Sequence, residues 1–190
     1  MMRNTHISRL IRLLAVLTLF LCPNFSQASN FVSNFETLPA VDKMPPKVGT
    51  WKYTPTVIVC DYAPVEETRV RSAVAYWQRR GFRFFNAIYK QDPLKKCQDP
   101  APSGFIIVRL VTQEIHSRME ETALAETHFY VDNDRKEIEW AKIYLRGTPK
   151  ERVLEHEIGH ALGFLHYNQQ DHLMHEKWLL GGWGHEGLYR

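Results

Sequence analysis

The sequence lacks a long hydrophobic run at its N-terminus, an internal repeat and a low-complexity stretch. The N-terminal apolar run, Leu13–Leu21, has nine residues, whereas a membrane-spanning helix needs about 20. Cysteines are few, three in 190 residues, and neither Cys60 nor Cys97 has the spacing of a zinc-ligand pair. These absences argue against a bilayer-spanning helix at that run and against a repeat array, and they favour one domain.

The N-terminal segment has the layout of a signal peptide. Residues 1–28 contain three arginines and no acidic residue, then the apolar run, then small residues up to Ala28. We therefore expect cleavage before Ser29 and a secreted or periplasmic protein with no stable membrane anchor afterwards. An uncleaved anchor and a lipid anchor on Cys22 are the alternatives.

The segment's three arginines account for the net charge of the chain. Without them, 21 of the 24 basic residues remain beside 21 acidic residues, so the formal charge falls from +3 to zero. A balanced chain of this kind does not favour a nucleic-acid-binding surface. We expect no nucleic acid among its partners.

The two cysteines that remain, Cys60 and Cys97, are nearly forty residues apart. In an exported protein such a pair favours one disulfide. Two separate thiols, one of them buried, are the alternative.

Hydrophobic periodicity predicts an α+β domain. Val70, Ala73, Val74 and Trp77 repeat with helical spacing, and Gly81 is expected to end that helix. Five apolar or alternating segments predict strands, with turn residues between the last two: 54–60, 82–89, 105–112, 123–131 and 138–145. The domain is expected over residues 51–190, and residues 29–50 are expected to form an extended lead-in or a short pro-segment.

Residues 156–166 read H-E-I-G-H-A-L-G-F-L-H and carry the candidate chemistry. A catalytic zinc site needs three protein ligands, an open position for water and a base beside that water. His156 and His160 are four residues apart, so on a helix they share one face. Glu157 follows the first ligand and is placed to accept a proton without ligating the metal.

The third ligand requires the helix to end. His166 is six residues beyond His160, about 600° of helical rotation, and cannot share that face. Gly163 is expected to end the helix in a left-handed conformation, so that His166 turns back to the ion. Gly159, inside the helix, indicates a close backbone approach.

The start of this helix is also predicted. Thr148, Pro149 and Glu151 have the pattern of a capping box, with Thr148 as the N-cap residue. The alternative for the whole segment is a set of histidines that serve packing or solvent contact.

The segment from His156 to His166 resembles the zinc-binding signature of the metzincin metallopeptidases, and it is most similar to the matrixin branch. The match extends over about residues 148–175. The resemblance implies a zincin-like fold: a twisted mixed sheet, an active-site helix and a short C-terminal subdomain. It implies one catalytic Zn²⁺ on His156, His160 and His166, Glu157 as general base and then acid, and Met174 in a tight turn beneath the metal.

The resemblance suggests further sites. In metzincins an edge strand pairs with the extended substrate, and residues 124–127 are the candidate here, an ordinary sheet strand being the alternative. His128, Asp132 and Asp134 are candidates for a second zinc or a calcium ion. Tyr189 is a candidate for stabilising the oxyanion. Three other histidines either line the cleft or are solvated: His172, His175 and His185.

The sequence thus predicts a secreted, zinc-dependent endopeptidase whose partner is a peptide or protein substrate. A zinc-binding protein without peptidase activity is one alternative. A structural or surface-interaction protein with incidental histidines is the other.

Overall fold

Seven strands in one sheet and three helices make up the described part of this computed structural model, which comprises residues 31–33, 44–89, 97 and 101–190. The predicted signal peptide and most of the predicted lead-in lie outside these residues. In chain order the elements are β1 Phe31–Ser33, β2 Thr50–Trp51, β3 Thr56–Val59, α1 Glu67–Gln78, β4 Ala87–Tyr89, β5 Phe105–Leu110, α2 Gln113–His116, β6 Ala125–Asp132, β7 Glu137–Leu145 and α3 Val153–Ala161. The α+β prediction is confirmed.

The sheet is open and mostly parallel. Its strand order is β1-β6-β7-β5-β3-β4, and the short β2 pairs with β7. Only β6 runs antiparallel to its neighbours, β1 and β7. The β6–β7 turn is stabilised by Asp132, whose carboxylate accepts the backbone N–H groups of Asp134 and Arg135. The hairpin places β6 beside β7, and α3 packs against both strands.

Helices α1 and α3 pack together over the sheet and form the main core. All four predicted positions on α1 are buried, from Val70 to Trp77, because they repeat on one helical face. The Trp77 indole stacks on Phe164 and donates a hydrogen bond to the backbone oxygen of Glu155 at 2.8 Å. Gly81 ends the helical segment with a φ of 86°, as predicted. Helix α3 is therefore held by α1 as well as by the sheet.

A smaller core contains the disulfide. Cys60 and Cys97 are bonded to each other, and they pack with Ile58, Ala101 and Ile107. The disulfide prediction is confirmed. No helix in the described ranges has the length and apolar character to cross a membrane.

The predicted start of α3 is wrong. The capping box from Thr148 to Glu151 does not form, because α3 begins at Val153 and has Arg152 at its N-cap position. Arg152 has a left-handed φ of 69° and makes no side-chain cap. Instead, Glu151 is engaged by the C-terminal segment: its carboxylate and its backbone oxygen accept the indole N–H groups of Trp183 and Trp178. Tertiary contacts have overridden a local helix signal.

The strand predicted for 82–89 is also too long. Only Ala87–Tyr89 is a strand. Phe82 instead turns back on the helix: its N–H bonds the backbone oxygen of Trp77, and its ring packs edge-on against Trp77 and Phe164. An aromatic residue here serves the core and not the sheet.

The end of the predicted lead-in joins the domain. Leu165 N–H bonds the backbone oxygen of Pro46 at 2.9 Å, and Val48 N–H bonds that of Gly163 at 2.9 Å. Residues 46–48 therefore brace the loop that follows α3, and this loop carries the third predicted ligand.

Candidate metal centre

The three predicted ligands meet. One potential ligand atom from each of His156, His160 and His166 lies within 4.8 Å of the others. The ring centroids are 4.6 Å apart for the pairs that include His160, and 5.3 Å apart for His156 and His166. This is the single group of three potential metal ligands found among the described residues.

Gly163 makes this meeting possible. Helix α3 ends at Ala161, and Gly163 has a φ of 96°, a left-handed conformation that strains residues with a Cβ. A Cβ at this position would lie 2.7 Å from the backbone oxygen of Gly49. The predicted glycine stop is thus confirmed on two grounds, conformation and space. The chain reverses here and returns His166 to the helix.

Backbone carbonyls fix the tautomers of the two helical histidines. Nδ1 of His156 lies 2.7 Å from the oxygen of Leu173, and Nδ1 of His160 lies 2.8 Å from that of Phe164. A carbonyl only accepts, so each Nδ1 carries the proton and each neutral ring has a lone pair on Nε2. The two Nε2 atoms are 2.9 Å apart. Two lone pairs that face each other at this distance repel unless a cation lies between them.

Burial keeps these rings neutral. It lowers the pKa of His156 to about 3 and that of His166 to about 4, and the charges of neighbouring histidines act in the same direction. The pKa of the fully buried His160 is also lowered, by desolvation first and then by His156 and His166. Metal ligands must be neutral imidazoles. The arrangement can therefore hold a metal ion near neutral pH without first losing protons.

The donor set fits zinc. Three imidazole nitrogens with room for a fourth ligand are characteristic of catalytic zinc sites. The two carbonyl partners also match the usual support of a ligating imidazole, in which the other ring nitrogen donates to an oxygen. The residues present therefore suit the ion that the sequence resemblance implies.

Glu157 lies beside the histidines and is buried, with 4 % of its surface exposed. Thr127 Oγ1 donates to Glu157 Oε2 at 2.6 Å, which orients the carboxylate from strand β6. Burial raises the pKa of Glu157 to about 8, although the Thr127 hydrogen bond opposes this shift. A bound cation would also oppose it. Sequence reasoning missed Thr127, whose role depends on the packing of β6 against α3.

Met174 packs against α3 at Gly159, between His156 and His160 in the chain. Its side chain is fully buried, and a Cβ on Gly159 would lie 2.5 Å from its Sδ and 2.8 Å from Cζ2 of Trp77. The close approach expected at Gly159 is therefore present. His172 holds the turn: its Nδ1 accepts Met174 N–H at 3.1 Å, and its Nε2 donates to the oxygen of Glu186 at 3.1 Å. His172 is thus a buried positioning residue, which the sequence did not distinguish from its neighbours.

A cleft of about 760 Å³ opens over the site, and His156, Glu157 and His166 line it. One wall is formed by residues 122–126, which lead into β6. Strand β1 pairs with residues 128–130 of β6, so among the described residues no strand pairs with the outer edge of 125–127. This is the segment expected to bind substrate. The cleft is also lined by Lys150, Arg152, Val153 and residues 175–181.

Other predicted residues do not join the centre. His128, Asp132 and Asp134 form no metal-ligating group in the described part of the chain. His128 contacts the carboxylate of Glu126, and Asp132 is used in the hairpin turn, so the second metal site is not supported. Tyr189 is 56 % exposed and does not line the cleft, and neither does His185, whereas His175 does.

Comparison with known proteins adds no assignment to this geometry. No protein-family model matches the sequence, and no curated protein matches it.

Proposed function

We propose that this protein is an exported zinc-dependent endopeptidase with a metzincin-like fold. One observation carries the proposal. Three neutral imidazoles converge in a cleft, two of them with their tautomers fixed for ligation, and a buried carboxylate lies beside them. The disulfide between Cys60 and Cys97 is in keeping with export.

The residues have separate tasks. His156, His160 and His166 hold the ion. When bound there, zinc supplies Lewis acidity, which lowers the pKa of a water and polarises the scissile carbonyl. Glu157 takes a proton from the attacking water and passes it to the leaving amine. Thr127 keeps the Glu157 carboxylate oriented, and the outer edge of residues 125–127 offers main-chain groups to an extended peptide.

The proposal is tested by the exchange Glu157→Gln. We expect about one zinc per chain in both the parent protein and the variant, because Glu157 is not a ligand. Cleavage of a diverse peptide library, read by mass spectrometry of the products, should fall by about a thousandfold or more in the variant. A chelator should abolish cleavage in the parent protein.

The outcomes separate the alternatives. Undiminished cleavage in Glu157→Gln would remove the mechanism. Zinc binding without any cleavage by the parent protein would favour a non-catalytic zinc protein. A parent chain without bound metal would favour incidental histidines. Glu114→Gln is the matched control, since this glutamate is exposed on α2 and pairs with Arg118.

A further inference from the structure

One wall of the cleft contains three cations and one carboxylate, Glu176, and therefore has a net positive charge. Lys150, Arg152 and Lys177 line it around Trp178, in the same cleft as the histidines of the candidate metal centre. We call these four residues the basic wall. Helix α3 begins directly after Arg152, so Arg152 is only four residues before His156 in the sequence.

Trp178 fixes the position of two of these charges. Its Nε1 donates to the backbone oxygen of Glu151 at 2.9 Å, which anchors the indole. Lys150 Nζ lies 5.0 Å from the centroid of the indole ring, and the guanidinium carbon of Arg152 lies 5.1 Å from it. Cations within about 6 Å of an indole face are attracted to it. Trp178 therefore holds the charges of Lys150 and Arg152 at the surface of the cleft.

The basic wall has no carboxylate partner within the described ranges. Five other cations do form ion pairs within the described ranges: Lys52, Arg69, Arg71, Arg118 and Arg135. None of the three cations in the basic wall has an acidic oxygen within ion-pair distance in that part of the chain. Their capacity to bind a carboxylate is thus unused by the neighbouring described residues.

Arg152 is also held in an unfavourable backbone conformation. Its φ of 69° lies in the left-handed region, which is uncommon for residues other than glycine. The preceding residue, Glu151, is held by hydrogen bonds from Trp178 and Trp183. Such strain is concentrated at functional sites, where it places a side chain that a relaxed turn would direct elsewhere.

Carboxylates line another part of the cleft. Glu120 and Glu126 line it, beside the strand edge expected to bind the peptide. Glu126 contacts His128, and Glu120 accepts a hydrogen bond from Thr122 at 3.0 Å. An acidic side chain of a peptide bound along this edge is repelled by Glu120 and Glu126 and attracted by the cations of the basic wall.

From this charge distribution we propose that the basic wall binds a carboxylate of the substrate, so that the enzyme selects peptides with a carboxylate near the scissile bond. The carboxylate belongs either to an acidic side chain or to the C-terminus of the peptide. The inference rests on the proposed function, because it names the substrate class of the same cleft.

The test measures binding apart from cleavage, with the zinc-loaded Glu157→Gln protein. The probes are fluorescein-labelled, amidated decapeptides of one constant sequence, in which a single Glu, or Gln as its neutral match, is moved along the chain. Fluorescence anisotropy should show about tenfold tighter binding of the Glu peptide at one or two positions. A second pair, with and without the C-terminal amide, detects recognition of the chain end.

Variants assign the preference to the basic wall. Arg152→Gln should reduce it to about twofold or less, and the double exchange of Arg152 and Lys150 to Glu should favour peptides that carry Lys instead. Lys136→Gln is the matched control: it removes one charge at another left-handed position, with a φ of 56°, outside the cleft. It should leave the preference unchanged.

Two results would overturn the inference: equal binding of Glu and Gln peptides at every position together with no effect of the C-terminal amide, or a preference that survives the change of both Arg152 and Lys150 to Gln. The proposed function stands or falls separately, on product formation by the parent protein. If the protein preferred carboxylate peptides but the parent protein cleaved none, the proposed carboxylate-binding site would be supported and the proposed endopeptidase activity would be rejected.

Discussion

The described domain has two regions that are stabilised in different ways. From β2 to α3, strands and helices bond most of their own backbone groups. Residues 162–190 contain no helix and no strand longer than an isolated bridge, yet Phe164, Leu173 and Met174 are among their buried residues. Backbone groups there bond one another across turns, as in the Tyr167–Met174 and Leu173–Gly184 hydrogen bonds, and side chains such as His172 add further bonds. A regular and an irregular framework thus share one candidate metal centre.

The difference is plainest at the site itself. The regular region supplies His156, Glu157 and His160 on α3. The irregular region supplies His166, the Met174 side chain that packs against Gly159, and both carbonyls that fix the helical tautomers. Neither region alone has a complete ligand set, so changes at their boundary should reveal how strongly each depends on the other.

Removal of the metal should give the largest effect and should affect the two regions unequally. On the proposed function, a bound ion would link His166 to α3, so a chelator would remove a tie that the irregular region needs more than the sheet does. At a free zinc concentration of about a hundred times Kd, the lost stabilisation is about 2.7 kcal/mol. Hydrogen exchange should become faster in residues 164–175 and stay nearly unchanged in β5 and β7. Equal acceleration in both regions would contradict the comparison.

Gly159→Ala should give the next largest effect, because the added methyl group has no space between Met174 and Trp77. We expect a loss of about 2–3 kcal/mol in the free energy of unfolding, as for other overpacked cores. Urea denaturation measures it. Gly147→Ala is the matched control, since no atom lies within 4 Å of its new Cβ and its φ is not positive. If Gly159→Ala were as stable as Gly147→Ala, the packing of Met174 and Trp77 around residue 159 would be shown to adjust freely.

His172→Phe should have the smallest effect and should be confined to the irregular region. The exchange keeps an aromatic ring, but it leaves Met174 N–H and the Glu186 carbonyl without their partners. The expected cost is about 1–3 kcal/mol, measured by urea denaturation, with a weaker affinity for zinc. His116→Phe, at an exposed site on α2, is the control. Unchanged zinc affinity would show that the Met174 turn does not depend on His172.

The same division explains what the sequence could predict. Periodicity placed the buried face of α1, all of β6 and β7 to within two residues, and the glycine that ends α3. These features depend on neighbours that are close in the chain. The meeting of His156, His160 and His166 was predictable for the same reason, because eleven consecutive residues contain all three.

Features that depend on distant contacts were not predictable. Glu151 was expected to cap α3, but two tryptophans about thirty residues later engage it. Thr127 and His172 orient the site through partners on other elements, Glu157 in one case and Glu186 in the other. Sequence patterns describe neighbours in the chain and do not indicate which distant residues will form hydrogen bonds. The roles of Thr127 and His172 therefore became visible only in the folded structure.

The source of the two carbonyl acceptors has a consequence for the order of assembly. Leu173 and Phe164 both follow α3 in the chain. A growing polypeptide that ends at this helix therefore contains His156 and His160 but lacks the carbonyl groups that fix their tautomers. A peptide copy of residues 153–161 should therefore be a poor chelator. Metal uptake by the full chain would report that its last part has already docked, which makes zinc content a measure of finished folding.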